Sequence, residues 1–143
     1  MLSKRLFMTP TIIEKPTTFI NADVLKSLKK YTSCEGQVII HGVCKTTYAE
    51  TFVRIWPTTY LFDQYASNRS ELVHYENISG YPVWTRVPPN TEFVFTLLFA
   101  PLPKSCNVFD LKEIIPQSNG FHVSGILRNE TDVYYLDFSG EEF

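Results

Sequence analysis

The chain reads as a mainly β protein, an antiparallel sandwich or barrel of about eight strands with one short N-terminal helix. Three observations predict this. Apolar and polar side chains alternate with a period of two over short segments from position 37 onward. Pro, Gly and Asn stand at the breaks between those segments, every 8 to 14 residues, which is the spacing of an all-β domain. Aromatic residues reach 15% (eleven Phe, eight Tyr, two Trp), and such side chains suit a pleated, half-buried surface.

The 143 residues fit one domain, 1–143, large enough to bury a core without disulfides or metals. Residues 1–20 read as an N-terminal arm, because Pro10 and Pro16 break any long element, although Thr11-Ile12-Ile13 suits an edge strand. Asn21 then caps a short helix over 21–33. Val24, Leu25 and Leu28 form its apolar stripe, and Lys26, Lys29 and Lys30 lie outward and toward its end. Cys34-Glu35-Gly36 turns the chain out of it. Val38 and Ile40 share one face of the next segment, opposite Ile39 and His41. Phe52, Arg54 and Trp56 alternate with Val53 and Ile55 until Pro57. Tyr60-Leu61-Phe62 resumes the pattern, and 71–76 and 83–87 continue it.

The segment 92–99 is the strongest strand. Phe93, Phe95, Leu97 and Phe99 alternate with Val94, Thr96 and Leu98, and two apolar faces predict a central strand. Pro101 and Pro103 end it. Segments 106–115, 121–128 and 132–138 close the chain, separated by Asn119-Gly120 and Asn129-Glu130-Thr131. Strand–helix alternation is absent, which argues against a parallel α/β sheet.

The run Phe95-Thr-Leu-Leu-Phe-Ala-Pro-Leu-Pro103, then Phe109-Asp-Leu-Lys-Glu113, then Gly120-Phe121 and Gly125-Ile126, resembles a stretch of immunoglobulin-like β-sandwich domains in uncharacterised bacterial proteins. There a strand ends in a Pro-Leu-Pro-type corner and a short strand crosses next. The resemblance implies an immunoglobulin-like sandwich and an accessory role, and it carries no catalytic residue. Such domains can precede thioredoxin-like domains, but no Cys-x-x-Cys occurs here, so no redox activity follows.

A net charge of −2, from 13 basic and 15 acidic residues, lacks the basic footprint of a nucleic-acid binder. No apolar run approaches a membrane span, so no membrane partner is expected. The apolar run before Thr9 and Pro10 is too short for a signal-peptide core, and the expected location is cytoplasmic. The odd set Cys34, Cys44 and Cys106 fits reduced thiols better than a secreted disulfide scaffold.

Catalytic patterns are weak. Cys34, His41 and Cys44 lie close in sequence, but zinc needs four converging ligands, and His41 and Cys44 fall on opposite strand faces. Cys106 with His74 or His122 would make a nucleophile–base pair, or Cys106 is a small core residue. No Gly-x-Ser-x-Gly elbow and no phosphate-cradling glycine loop occurs. Asp110 with Glu113, or Glu71 with Glu76, would suit glycosidic cleavage if paired, or are solvated carboxylates on outward faces. The sequons at Asn68, Asn77 and Asn129 read as polar turn chemistry. No catalytic residue, metal or cofactor is expected.

The candidate site is aromatic: Trp56, Tyr60, Tyr75, Tyr81, Trp84 and Arg86, with Arg54 beside Trp56. Trp, Tyr and Arg are the residues enriched at binding hot spots and stacking platforms. Alternatively both Trp cap the ends of the core. Two functions follow. One is a non-enzymatic module that binds protein, self-association through an edge strand included. The other is a carbohydrate or small-ligand binder that stacks its ligand on these rings.

Overall fold

In the computed structural model, residues 36–117 and 120–139 are described, and the arm 1–20 and helix 21–33 expected from sequence lie outside them. Strands take up 53% of the described residues, with no helix among these. They are β1 (Val38–Lys45), β2 (Thr51–Val53), β3 (Thr59–Asp63), β4 (Arg69–Glu76), β5 (Thr85–Val87), β6 (Glu92–Phe99), β7 (Val108–Glu113), β8 (His122–Leu127) and β9 (Val133–Asp137).

Seven strands form one sheet in the order β8-β7-β3-β4-β6-β1-β9, and β2 pairs with β5 in a separate ribbon. The β6 strand lies inside the sheet, antiparallel to both β1 and β4. Pro101 and Pro103 end it, and the chain then crosses past β4 and β3 to reach β7. One expectation needs correction. The sheet is mixed, because β9 runs parallel to β1 with Ile40 opposite Tyr134. Alternation says which side chains point inward, and it is silent on which strand lies next to which.

Chain length forces this sheet to curl. A flat sheet of seven strands spaced about 4.8 Å apart would hold β8 and β9 ~29 Å apart. Only residues 128–132 connect them, and six steps of about 3.5 Å reach ~21 Å at most. The turn is also tight, since Asn129 Oδ1 accepts hydrogen bonds from the backbone N–H groups of Thr131 and Asp132. The two edges must therefore approach, and the sheet forms a half-barrel. The strand order shows one curled seven-stranded sheet with a two-stranded ribbon, and does not by itself establish the two facing sheets of an immunoglobulin-like sandwich. Both shapes share the same inward–outward pattern, which is why the sequence does not separate them.

The concave side holds the core: Val38, Ile40, Leu61, Leu97, Phe99, Phe109, Leu111 and Ile126 among others. Across the seam between the edges, Phe109 meets Tyr134 edge-on at 5.1 Å and Phe121 meets Phe138 at 5.0 Å. Gly42 sits where Phe95 and Phe138 converge, and a Cβ there would lie 2.5 Å from Phe95 Cζ. The ribbon adds Val53 and Val87 to this core, and Ile55 just past its end joins them. The side chains that alternate with them along 52–56 and 81–86 turn away from the core and form a surface of their own. No helix of the described residues is long and apolar enough to cross a membrane.

Candidate aromatic binding surface

The ribbon pairs Phe52 with Arg86 and Val53 with Thr85. Past its end, Ile55 forms a parallel bridge to Gly80, with Ile55 N donating to Ser79 O and Tyr81 N donating to Ile55 O. Ile55 is buried, so its neighbours Arg54 and Trp56 both turn to the other side. The segment 79–85 closes on itself. The Ser79 hydroxyl donates to Val83 O at 2.7 Å, Val83 N donates to Gly80 O at 3.0 Å, and Ser79 N donates to Thr85 Oγ1 at 3.1 Å. These local bonds satisfy backbone groups that would otherwise need water, and they fix the direction of the side chains between them.

Those side chains are Tyr81, Pro82, Val83 and Trp84, four in a row that point into solvent. Tyr81 is 46% exposed, Val83 61% and Trp84 48%. Tyr81 stacks on Trp56 with ring centres 3.7 Å apart. The Arg54 guanidinium lies 3.8 Å from the centre of Trp84, 4.7 Å from Tyr81 and 5.6 Å from Trp56. A cation at these distances is attracted to the negative ring faces. Arg54 Nη1 also donates to Pro82 O at 3.1 Å, which ties the loop to the strand below.

Behind the stack lies Glu113, a buried carboxylate. Its Oε2 accepts from Trp56 N at 2.8 Å and its Oε1 from Phe121 N at 3.1 Å. Thr59 directs its hydroxyl to Trp56 O at 2.7 Å. Glu113 thus clamps the segment that carries Trp56 to the residue before β8. Burial pushes its pKa up, against the pull of these hydrogen bonds and of Arg54 nearby.

Of the sequence-predicted residues, the structure brings Trp56, Tyr81 and Trp84 together. Neither Trp caps the core: Trp84 is exposed and Trp56 half-buried. The Tyr75 hydroxyl sits against Gly80, where a Cβ would collide with it, so Tyr75 supports the base of the loop. Tyr60 lies apart on β3, under Arg69 at 4.3 Å. Arg86 binds Glu50 at 2.6 Å, and the cation on Trp84 is Arg54. Glu113 is the member that sequence reasoning left out of the site, and Arg54, expected only beside Trp56, also meets Trp84 and Tyr81. The Glu113 signal was present, since it shares the parity of Phe109 and Leu111 and so faces inward. The Arg54–Trp84 contact crosses a strand pairing that alternation does not report.

The catalytic candidates fall elsewhere. Cys106 is buried, its Sγ donates to Val108 O, and burial raises its pKa. His74 pairs with Glu76 at 2.7 Å, while His122 is exposed on β8. Asp110 accepts from Gln64, Ser124 and the N–H of Gly125, on the face of β7 opposite Glu113. Among the described residues no group of His, Cys, Asp and Glu converges as a metal site requires. The sequon amides of Asn68, Asn77 and Asn129 donate to Asp63, Val94 O and Val133 O respectively.

Compared with protein-family models, with curated proteins and with solved structures, the chain finds no match in any of the three.

Proposed function

We propose that this domain is a non-enzymatic interaction module that binds another protein through the exposed loop 81–84 and the Trp56–Arg54 stack beneath it. The observation that carries this reading is the run Tyr81-Pro82-Val83-Trp84, apolar, consecutive and turned outward. A monomer gains nothing by holding such a run in water, and exposed apolar patches of this kind mark contact surfaces. Covering the exposed half of one Trp, ~100 Å², returns about 2.5 kcal/mol. The loop is held by its own hydrogen bonds, so little ordering entropy opposes docking. A sugar ligand would stack on the same rings, but it also needs convergent polar groups. Beside the rings the surface offers Arg54 alone among the described residues, with Pro82 and Val83 apolar, which favours a protein partner.

The same proposal keeps two further expectations. Kinship with immunoglobulin-like accessory domains is supported by the proline corner, where Leu102 is buried between exposed Pro101 and Pro103. A cytoplasmic location is supported by the free thiols of Cys44 and Cys106.

A photo-crosslinking amino acid at Val83 tests the reading. The expected result is a crosslink to one defined protein, or to a second copy of this chain, lost in Trp84→Ala. A glycan-array signal lost in Trp84→Ala, with no protein crosslink, would transfer the site to the carbohydrate reading. Crosslinks indifferent to Trp84→Ala would remove the site altogether.

A further inference from the structure

Arg54 is held in a way that its role as a spacer for the rings does not use up. A guanidinium carries five N–H donors in one plane. Stacking occupies its flat faces and leaves its edge for hydrogen bonds. Arg54 uses one donor, Nη1 to Pro82 O, and its Nε is buried without a hydrogen-bond partner among the described residues. The carboxylate that feels its charge is engaged elsewhere. Glu113 accepts from Trp56 N and Phe121 N, close enough to feel the Arg54 charge yet without forming an ion pair with it. The exposed apolar loop therefore holds a fixed cation that forms no ion pair among the described residues.

Resting on the interaction-module reading, we infer that the surface selects an acidic segment of its partner. A carboxylate meets the Nη end of Arg54, its Nε being buried and out of reach, while the neighbouring apolar side chain of the same segment lies on Trp84 and Val83. The chemistry is complementary on both counts. The rings are apolar, and the one arginine they enclose keeps Nη donors that no carboxylate among the described residues takes up. Because Trp84 and Tyr81 cover the guanidinium faces, the pair forms partly out of water, where an arginine–carboxylate contact is stronger than on an open surface. Such a contact also rejects partners that present a neutral or basic segment there.

Two synthetic peptides of equal length test this, one alternating glutamate with leucine and one alternating glutamine with leucine. Binding to the full chain is followed by tryptophan fluorescence and by the indole N–H resonance of Trp84. The glutamate peptide is expected to bind about tenfold more tightly, with a preference that shrinks as salt is raised. Arg54→Gln should bring both peptides to the weaker level, and Arg54→Lys, which keeps the charge and loses the planar fork, should fall between. Far-ultraviolet circular dichroism of each variant checks that it is folded. Equal binding of the two peptides, a preference that survives Arg54→Gln, or no binding of either overturns the inference. Equal binding that is lost in Trp84→Ala overturns the carboxylate assignment alone, and the module reading is judged separately by the Val83 crosslink.

Discussion

His41 and Glu113 are both buried ionisable groups, and they push stability in opposite directions with pH. His41 lies on the convex face of β1, its Nδ1 3.0 Å from Thr96 Oγ1 and its ring 5.0 Å from Tyr135. Burial lowers its pKa to about 4. The unfolded chain therefore binds the proton first, between about 6.5 and 4, and the folded state loses stability as pH falls through that window. A tenfold change in proton affinity is worth about 1.4 kcal/mol, so the full loss is on the order of 3 kcal/mol. His41→Gln should flatten urea-unfolding free energies between pH 6.5 and 4, and an unchanged slope would show that another group titrates there. For Glu113 the sign reverses, because its folded pKa is raised. Its contribution is complete below the unfolded carboxylate range and is lost as pH rises through the folded pKa. Glu113→Gln removes that slope. It also leaves one of the Trp56 and Phe121 N–H groups facing an amide donor, which costs about 1–3 kcal/mol. Chemical unfolding at several pH values separates the flat offset from the slope. Parity made the inward direction of Glu113 legible in the sequence, whereas the donors it meets come from distant segments and were not.

At the level of strands, the alternation located nearly every element. Segment 92–99 is β6 residue for residue, and the expected segments 121–128 and 132–138 contain β8 and β9 with their ends trimmed. Segment 52–56 held a surprise, for only its first part pairs as β2, and the rest leaves the ribbon to bridge Gly80. Trp56 and Arg54 belong to that departure, which is why their environment was the least legible. Glycine in mid-strand was the other unread signal. Gly42 faces the concavity on β1, and the convergence of Phe95 and Phe138 leaves its Cβ position no room. Gly42 has no left-handed backbone, so a substitution there acts through packing alone. Gly42→Ala should cost about 1–3 kcal/mol in urea unfolding. Pairing it with Phe95→Leu should recover part of that cost. A double variant that loses the full sum of both changes would show that the rings do not limit the site.

Closure of the sheet depends on joining edges that no backbone ladder joins among the described residues. The interior rings bridge the seam in two places, Phe109 with Tyr134 and Phe121 with Phe138. Arg128 ties the outside. Its Nε and Nη2 grip the Asp132 carboxylate, Nη1 donates to Pro103 O and Cys106 O, and Nη2 also reaches Leu102 O. One side chain thus fastens the β8–β9 turn to the corner between β6 and β7. The Tyr134 hydroxyl adds a donor to Asp132 and accepts from Asn129 N. None of this was readable from the chain, where 128 and 132 look like two charges in a polar turn. Because Arg128 and Asp132 are largely buried, removing the cation leaves a carboxylate and three carbonyls short of donors. Arg128→Met should therefore cost about 3–5 kcal/mol. The loss should also be local in its first step. Amide hydrogen exchange is expected to speed up at the β8 and β9 edges before β6 and β1, whose ladder has partners on both sides. Arg128→Met with Asp132→Asn, which removes both charges and suits the left-handed backbone of residue 132, should restore part of the stability if the unpaired carboxylate is the cause. Uniform acceleration across all seven strands would mean instead that the sheet opens as one unit and that the seam is not its weak point.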